Sequence, residues 1–274
     1  MKLLFEFYVN SSIHVALAVS SLILITYWEI NKTPNLALLG YLFFMTISGY
    51  NFVKYAKVAG LHHRSLTNSL KAIQILSAIS TAIALYFAIK LPLDVLLTSL
   101  IFGILTFFYA VPFLSKKSLR TFSGTKILIV AMVWAGVTVI VPFLEMNEPF
   151  TTDHGLVFTQ RFVLIIVLTL PFEIRDIRYD LPHLRTLPQV FGVGRSKWIG
   201  ILLLAFAVGL ELFKDDVNNL HFLSLNASCI LIAIALRISS QNQSKYFASF
   251  WVEAIPIFWA GLFLFLKYYY LEIS

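Results

Sequence analysis

The feature that most constrains this chain is a recurrence of apolar runs of spanning length, separated by short polar breaks, from residue 8 to residue 270. A helix crosses a bilayer with about 20 apolar residues. By that measure the predicted spans are 8–30, 35–56, 68–90, 93–113, 124–144, 157–173, 197–213, 219–237 and 247–270. Inside lipid every backbone polar group must be satisfied within its own structure, so runs of this length are read as helices. Nine of them in 274 residues leave no space for a soluble domain. Composition agrees, with 59% hydrophobic residues, 13% charged residues and a mean hydropathy of +0.82, well beyond a soluble domain. The expectation is an all-α polytopic membrane protein of nine transmembrane helices, one domain over residues 1–274.

The basic residues test that count, because a missed helix would scramble their sidedness. With the N-terminus inside, 16 of the 21 Lys and Arg residues fall in the inner connections. Only Lys32, Lys90, Arg161, Lys214 and Lys267 fall on the other side. That asymmetry is the positive-inside pattern. It predicts a cytoplasmic N-terminus and, after nine spans, an outer C-terminus. The sequence pI of about 9.4 therefore reports topology and anionic headgroups. A nucleic-acid partner is excluded, since no soluble basic domain exists to carry it. The single cysteine, Cys229, has no partner for an intrachain disulfide. Residues 1–6 are too short and too weakly basic for a signal-peptide n-region, and the run after them ends at Trp28-Glu29 without a small-residue cleavage pattern. A retained first helix is predicted.

Identifiable chemistry gathers in three inner connections, 54–71, 114–126 and 174–197, which follow helices two, four and six. The richest runs Phe172-Glu173-Ile174-Arg175-Asp176-Ile177-Arg178-Tyr179-Asp180. Acids four residues apart share one helix face and can share one hard cation. Asp176 and Asp180 can also simply pair with Arg175, Arg178 or Arg185 at headgroup level, and exposed pairs of that kind are common and weak. A Mg2+ site is the functional alternative: the ion takes one or two carboxylates and completes its shell with water and phosphate. Arginines around the acids then suit a diphosphate, whose charge exceeds what one Mg2+ neutralises. In the second connection Lys116, Lys117 and Arg120, after Tyr109 and Pro112, are either topogenic or hold phosphate oxygens. The third holds Lys54, Tyr55 and Lys57, with Asn51 just before it at the inner end of helix two. Aromatic faces suited to a carbocation are Tyr50, Tyr55, Phe108, Tyr109, Phe172 and Tyr179, although most aromatics in such a chain pack or face lipid. Glu253, within the last span, faces either a polar cavity or the headgroups.

Nine spans, an Asn at the inner end of helix two, a Tyr-x-x-Pro basic loop after helix four, and Arg175-Asp176-Ile177-x-x-Asp180 followed by Thr186-Leu187-Pro188 and the pair Gly192, Gly194 resemble the UbiA superfamily of intramembrane prenyltransferases. The resemblance covers essentially the whole chain and lies nearest the menaquinone-type branch. It implies Mg2+-dependent transfer of a prenyl group from a polyprenyl diphosphate to a lipophilic acceptor, aromatic or quinone-precursor-like, with release of diphosphate. Quinone biosynthesis and a bacterial inner membrane follow as expectations. Asp176, Asp180 and Asn51 are then the implied metal ligands and catalytic residues. Lys54, Lys57, Lys116, Lys117, Arg120, Arg175, Tyr109 and Tyr179 are the implied substrate-binding residues. The family's first motif, Asn-x-x-x-Asp-x-x-x-Asp, reads here as Asn51, Tyr55 and Ala59, so both its aspartates are missing. A non-catalytic protein of the same fold that binds lipid or a partner is the alternative. A small transporter ranks lower, because transporters distribute polar residues through the membrane depth and this chain concentrates charge at one face.

Overall fold

The computed structural model describes residues 2–55, 69–112 and 118–273. Among these the chain is helical, without a strand. Helices α1 (Lys2–Asn10) and α2 (Ile13–Glu29) form one pair bent by 56°. The bend sits at Ser11 and Ser12, where Ser12 has φ 64°, a left-handed conformation uncommon for a residue with a side chain. Then come α3 (Leu36–Tyr55), α4 (Leu70–Ala88) and α5 (Leu93–Ala110). The next span is composite: α6 (Thr125–Ala135) passes through a π-helical turn, Gly136–Ile140, into α7 (Val141–Glu145). After α8 (Thr152–Asp176) and α9 (Leu187–Leu210) follow α10 (Asn219–Ile238), a π-helical stretch Phe247–Val252, and α11 (Ile255–Ile273). Among the described residues eight spans plus the bent first pair give the nine that hydropathy predicts.

Boundaries differ where polar residues are folded into helix. α8 starts at Thr152 because Thr151 and His154 form a reciprocal cap, with the Thr151 amide donating to His154 Nδ1 at 3.2 Å. α9 starts at Leu187, ten residues before the predicted span, behind a Thr186–Gln189 capping box with Pro188 in the first turn, where a missing N–H costs nothing. Gly192, at φ 78°, interrupts its helical geometry. Arg161, expected at the outer flank of helix six, is instead buried inside α8. Its guanidinium donates to Leu22 O at 3.0 Å and Thr138 Oγ1 at 3.3 Å and lies over the Trp259 ring. Such contacts offset the cost of an intramembrane charge.

The middle of α8 is enclosed, with Val163 to Leu168 all buried, and over that stretch it is apolar on every side. Leu164, Val167, Leu170 and Ile174 lie in a core shared with α2, α6, α9, α10 and the last span. A second core joins α2, α3, α4 and α5 to Val141. Lipid gives helices no hydrophobic reason to associate, so small residues that permit close approach matter. Gly136 is one: a Cβ there would stand 2.0 Å from the Phe102 ring. Between the two cores the ends of α3, α5 and α8 meet the start of α6 and the last span, all at the basic end of the bundle, and a cavity opens there.

Candidate functional site

At its basic mouth the cavity is lined by Lys126, Glu173, Asp176 and Glu253. Deeper, Ile127, Val130, Ile165, Leu168 and Phe172 make its wall apolar. Its volume is about 250 Å³. The last turn of α8 supplies two of the acids. Glu173 is almost fully buried; its Oε1 lies 3.9 Å from Lys126 Nζ, and its Oε2 has no hydrogen-bond partner among the described residues. Asp176 receives Arg175 in bidentate fashion, Nε to Oδ1 at 2.7 Å and Nη2 to Oδ2 at 3.1 Å. Arg175 in turn lies over the Phe172 ring at 5.4 Å.

Asp180 lies one turn beyond the end of α8, and its amide donates to Asp176 O at 2.8 Å. Its carboxylate does not line the cavity directly. Instead Oδ2 holds Lys126 Nζ at 2.6 Å, and Lys126 lines the mouth. Glu173 and Asp176 lie one turn apart on α8, and Asp180 follows four residues later beyond the helix end; the ligand oxygens of the three do not all lie within 4.8 Å of one another. Gly124 makes the approach of Lys126 to Asp180 possible. At φ 73° it turns the chain into α6, and its amide donates to Leu184 O at 2.8 Å, binding the 118–124 loop to the 181–186 loop. Carboxylate oxygens suit Mg2+; here Arg175 engages Asp176 and Lys126 engages Asp180, while Glu173 Oε2 is buried without a partner among the described residues.

Of the residues singled out from sequence, Tyr50, Tyr109, Phe172, Asp176 and Glu253 line the cavity. Arg120, in the 3-10 turn Leu119–Thr121, lies within electrostatic reach of Tyr109, as do Glu173, Asp176 and Asp180. Arg175 stands beside the cavity through Asp176. Tyr179 is 83% exposed and lines neither this cavity nor its neighbour. Lys57, Lys116 and Lys117 lie outside the described residues, as does Ala59. Asn51, expected beside a metal, lines neither this cavity nor its neighbour. Its Oδ1 accepts from Ser12 Oγ and its Nδ2 donates to Ser77 Oγ, both at 2.9 Å. The amide therefore ties the α1–α2 bend to α4. Tyr55 serves the same bend, its hydroxyl donating to Asn10 O at 2.9 Å.

Lys54, half-buried at the end of α3, faces the last span rather than the α8 acids, within electrostatic reach of Glu253. Glu253 follows directly on the π-helical stretch, its amide donating to Ala248 O at 3.3 Å. The wide turn carries its side chain to the cavity wall, where it has no hydrogen bond or ion pair with a described residue. Sequence reasoning passed over Glu173, Lys126 and Trp134. A signal existed only for Glu173, three residues before Asp176 on the same face.

Trp134 and Tyr50 close the inner end of the cavity. The indole N–H donates to the Tyr50 hydroxyl, and the rings meet edge-on with centroids 6.2 Å apart. Behind them lies a second cavity of about 390 Å³, bounded by Leu42, Met45, Phe52, Phe102 and Phe107 among others. Tyr50, Thr106, Val133 and Trp134 line both.

No family model matches the chain, and no curated protein matches it by sequence. Solved structures do match in fold. A UbiA homologue from Aeropyrum pernix K1 in its apo form superimposes with a TM-score of 0.64 at 16% identity, covering 94% of this chain and 97% of that one. A UbiA homologue from Archaeoglobus fulgidus bound to GPP and Mg2+ gives 0.61 at 15% identity, covering 93% and 98%. A digeranylgeranylglyceryl phosphate synthase gives 0.56 at 16% identity, covering 97% of both chains. The chain has the UbiA membrane fold over nearly its whole length.

Proposed function

We propose that this protein transfers a prenyl group from a prenyl diphosphate to a lipophilic acceptor inside the membrane, releasing diphosphate at the basic, cytoplasmic end of the bundle. One observation carries the reading: Glu173, buried and with a free carboxylate oxygen, stands with Asp176 and the Lys126–Asp180 pair at the mouth of a cavity whose deeper wall is mostly apolar. The likeness in fold to a homologue bound to GPP and Mg2+ supports it.

Glu173, Asp176 and Asp180 would hold Mg2+, which when bound neutralises charge on the diphosphate leaving group. Lys126 and Arg175 are placed to take phosphate oxygens directly once their carboxylate partners turn to the ion, and Arg120 borders the same mouth. The ring faces of Tyr50, Tyr109, Phe172 and Trp134 line the path of the chain and stabilise an allylic cation as the carbon–oxygen bond breaks. The apolar wall excludes water, which would otherwise capture that cation. The acceptor class is aromatic or quinone-precursor-like.

The test is diphosphate release from GPP by purified protein in lipid with Mg2+. Glu173→Gln and Asp176→Asn should each lower the rate by about 10²- to 10³-fold, the scale of losing one preorganised electrostatic group. A second reading, a binding protein of the same fold, rests on the first motif, where Asn51 and Tyr55 serve the α1–α2 bend instead of the cavity. Tight GPP binding without release from any prenyl donor would decide for it.

A further inference from the structure

Every charged residue lining the two cavities belongs to the first: Lys126, Glu173, Asp176 and Glu253 line the mouth chamber, and no charged residue among the described ones lines the second. A diphosphate can therefore be held only at the mouth, with its chain directed inward toward Tyr50 and Trp134. The first chamber, about 250 Å³, is smaller than the roughly 300–1,000 Å³ of pockets that enclose a whole drug-sized ligand. Long chains need the 390 Å³ beyond. We propose that Tyr50 and Trp134 form a movable partition that sets prenyl chain length: short chains end against it, and longer chains bind only by parting it and entering the second chamber.

The two rings are joined by one hydrogen bond, from the indole N–H to the phenol oxygen. Each side has room to give. Beside Gly49, next to Tyr50, nothing apart from its chain neighbours and its own helix backbone lies within 4 Å of where a Cβ would stand. Trp134 lies just before the π-helical turn Gly136–Ile140, a wide turn of the kind that recurs at functional positions within helices. Parting the rings leaves a buried N–H and a buried hydroxyl without partners, a cost met only by chains long enough to need it. Met45, Phe52 and Phe107, at the outer rim of the second chamber, are partly exposed on the bundle surface, so a chain that outgrows the chamber emerges among lipid tails.

The inference rests on the prenyl-diphosphate reading above, and its test separates the two. Binding of non-hydrolysable dimethylallyl, geranyl, farnesyl and geranylgeranyl thiolodiphosphates is measured with Mg2+ on the full chain in lipid. Trp134→Ala removes the partition and should strengthen geranylgeranyl binding about tenfold relative to dimethylallyl, the fold-change that one buried hydrogen bond is worth. Gly103→Phe fills the second chamber from α5, where a side chain meets nothing within 4 Å. It should weaken the two long analogues about tenfold or more and leave dimethylallyl binding within about twofold. Should Trp134→Ala fail to fold, Gly103→Phe decides alone. A long-to-short ratio unchanged in the folded variants, with the short analogue still bound, overturns the partition and leaves the enzyme reading standing. No binding of any analogue by the wild-type chain overturns both.

Discussion

Asn51 shows how a residue can match a pattern and do different work. Its position at the inner end of helix two suggests a metal ligand, yet both ends of its amide are engaged, by Ser12 and Ser77. Ser12 holds a left-handed backbone at the bend, and the bond from its hydroxyl to Asn51 helps fix it. Asn51→Ala should therefore lower the thermal unfolding temperature, at about 1–3 kcal/mol for the buried Ser12 hydroxyl left unsatisfied, while the Mg2+ concentration giving half-maximal GPP binding stays unchanged. A shifted Mg2+ dependence at unchanged stability would return Asn51 to the metal site. Glu173 is the converse case. It belongs to no recognised pair, and only burial beside Lys126 distinguishes it from the acids of any helix end.

Element ends carry the remaining structural charge, and the largest group sits at the face opposite the cavity. Glu29 ends α2, Glu211 follows α9, and His221 lies in the first turn of α10. Lys214 Nζ reaches Glu29 Oε1 at 2.5 Å and Glu211 Oε2 at 2.6 Å, and His221 Nδ1 lies 2.9 Å from Glu211 Oε1. The carboxylates and the imidazole are spaced closely enough to hold a metal ion, but the ammonium already bridges both acids. The group is better read as a clamp on three helix ends. Lys214→Met should be strongly destabilising, by about 3–5 kcal/mol, because it leaves two buried carboxylates without their cation. Thermal unfolding in detergent, with no change in GPP affinity at permissive temperature, is the expected outcome. Nothing in the sequence marks this clamp, since its members are spread from residue 29 to residue 221.

For the whole molecule the open expectation is sidedness. Basic residues gathered at one end predict that the cavity mouth faces the cytoplasm. Cys229 is buried, so the native chain gives little background to thiol labelling. Tyr179, 83% exposed at the basic end, and Val217, 43% exposed at the other, are suitable positions for single cysteines. An impermeant maleimide added to intact cells should label Val217→Cys and not Tyr179→Cys; the opposite pattern would invert the topology. EDTA gives a second whole-molecule check, because removing divalent cations should abolish GPP binding if Glu173, Asp176 and Asp180 act through an ion.

The sequence by itself determined the class of fold, because spanning length and apolar composition are local properties that lipid reads segment by segment. It also located the basic end and singled out Asp176, but it put Asp180 on the same helix face, whereas α8 ends at Asp176 and Asp180 reaches the mouth only through Lys126. It did not locate the helix starts at Thr152 and Leu187, where caps draw polar residues into helices, or the bend at Ser12. Only the tertiary structure decided which acids meet. Glu173 is buried beside Lys126 because the end of α8 packs against the start of α6. Asp180 acts through Lys126, 54 positions away in the chain, because the loop at Gly124 is held to Leu184. Glu253 comes to the opposite wall through a π-helical turn, and Tyr50 meets Trp134 because α3 and α6 share a chamber wall. Contacts of that kind follow from how helices pack in three dimensions, and no period along one segment encodes them.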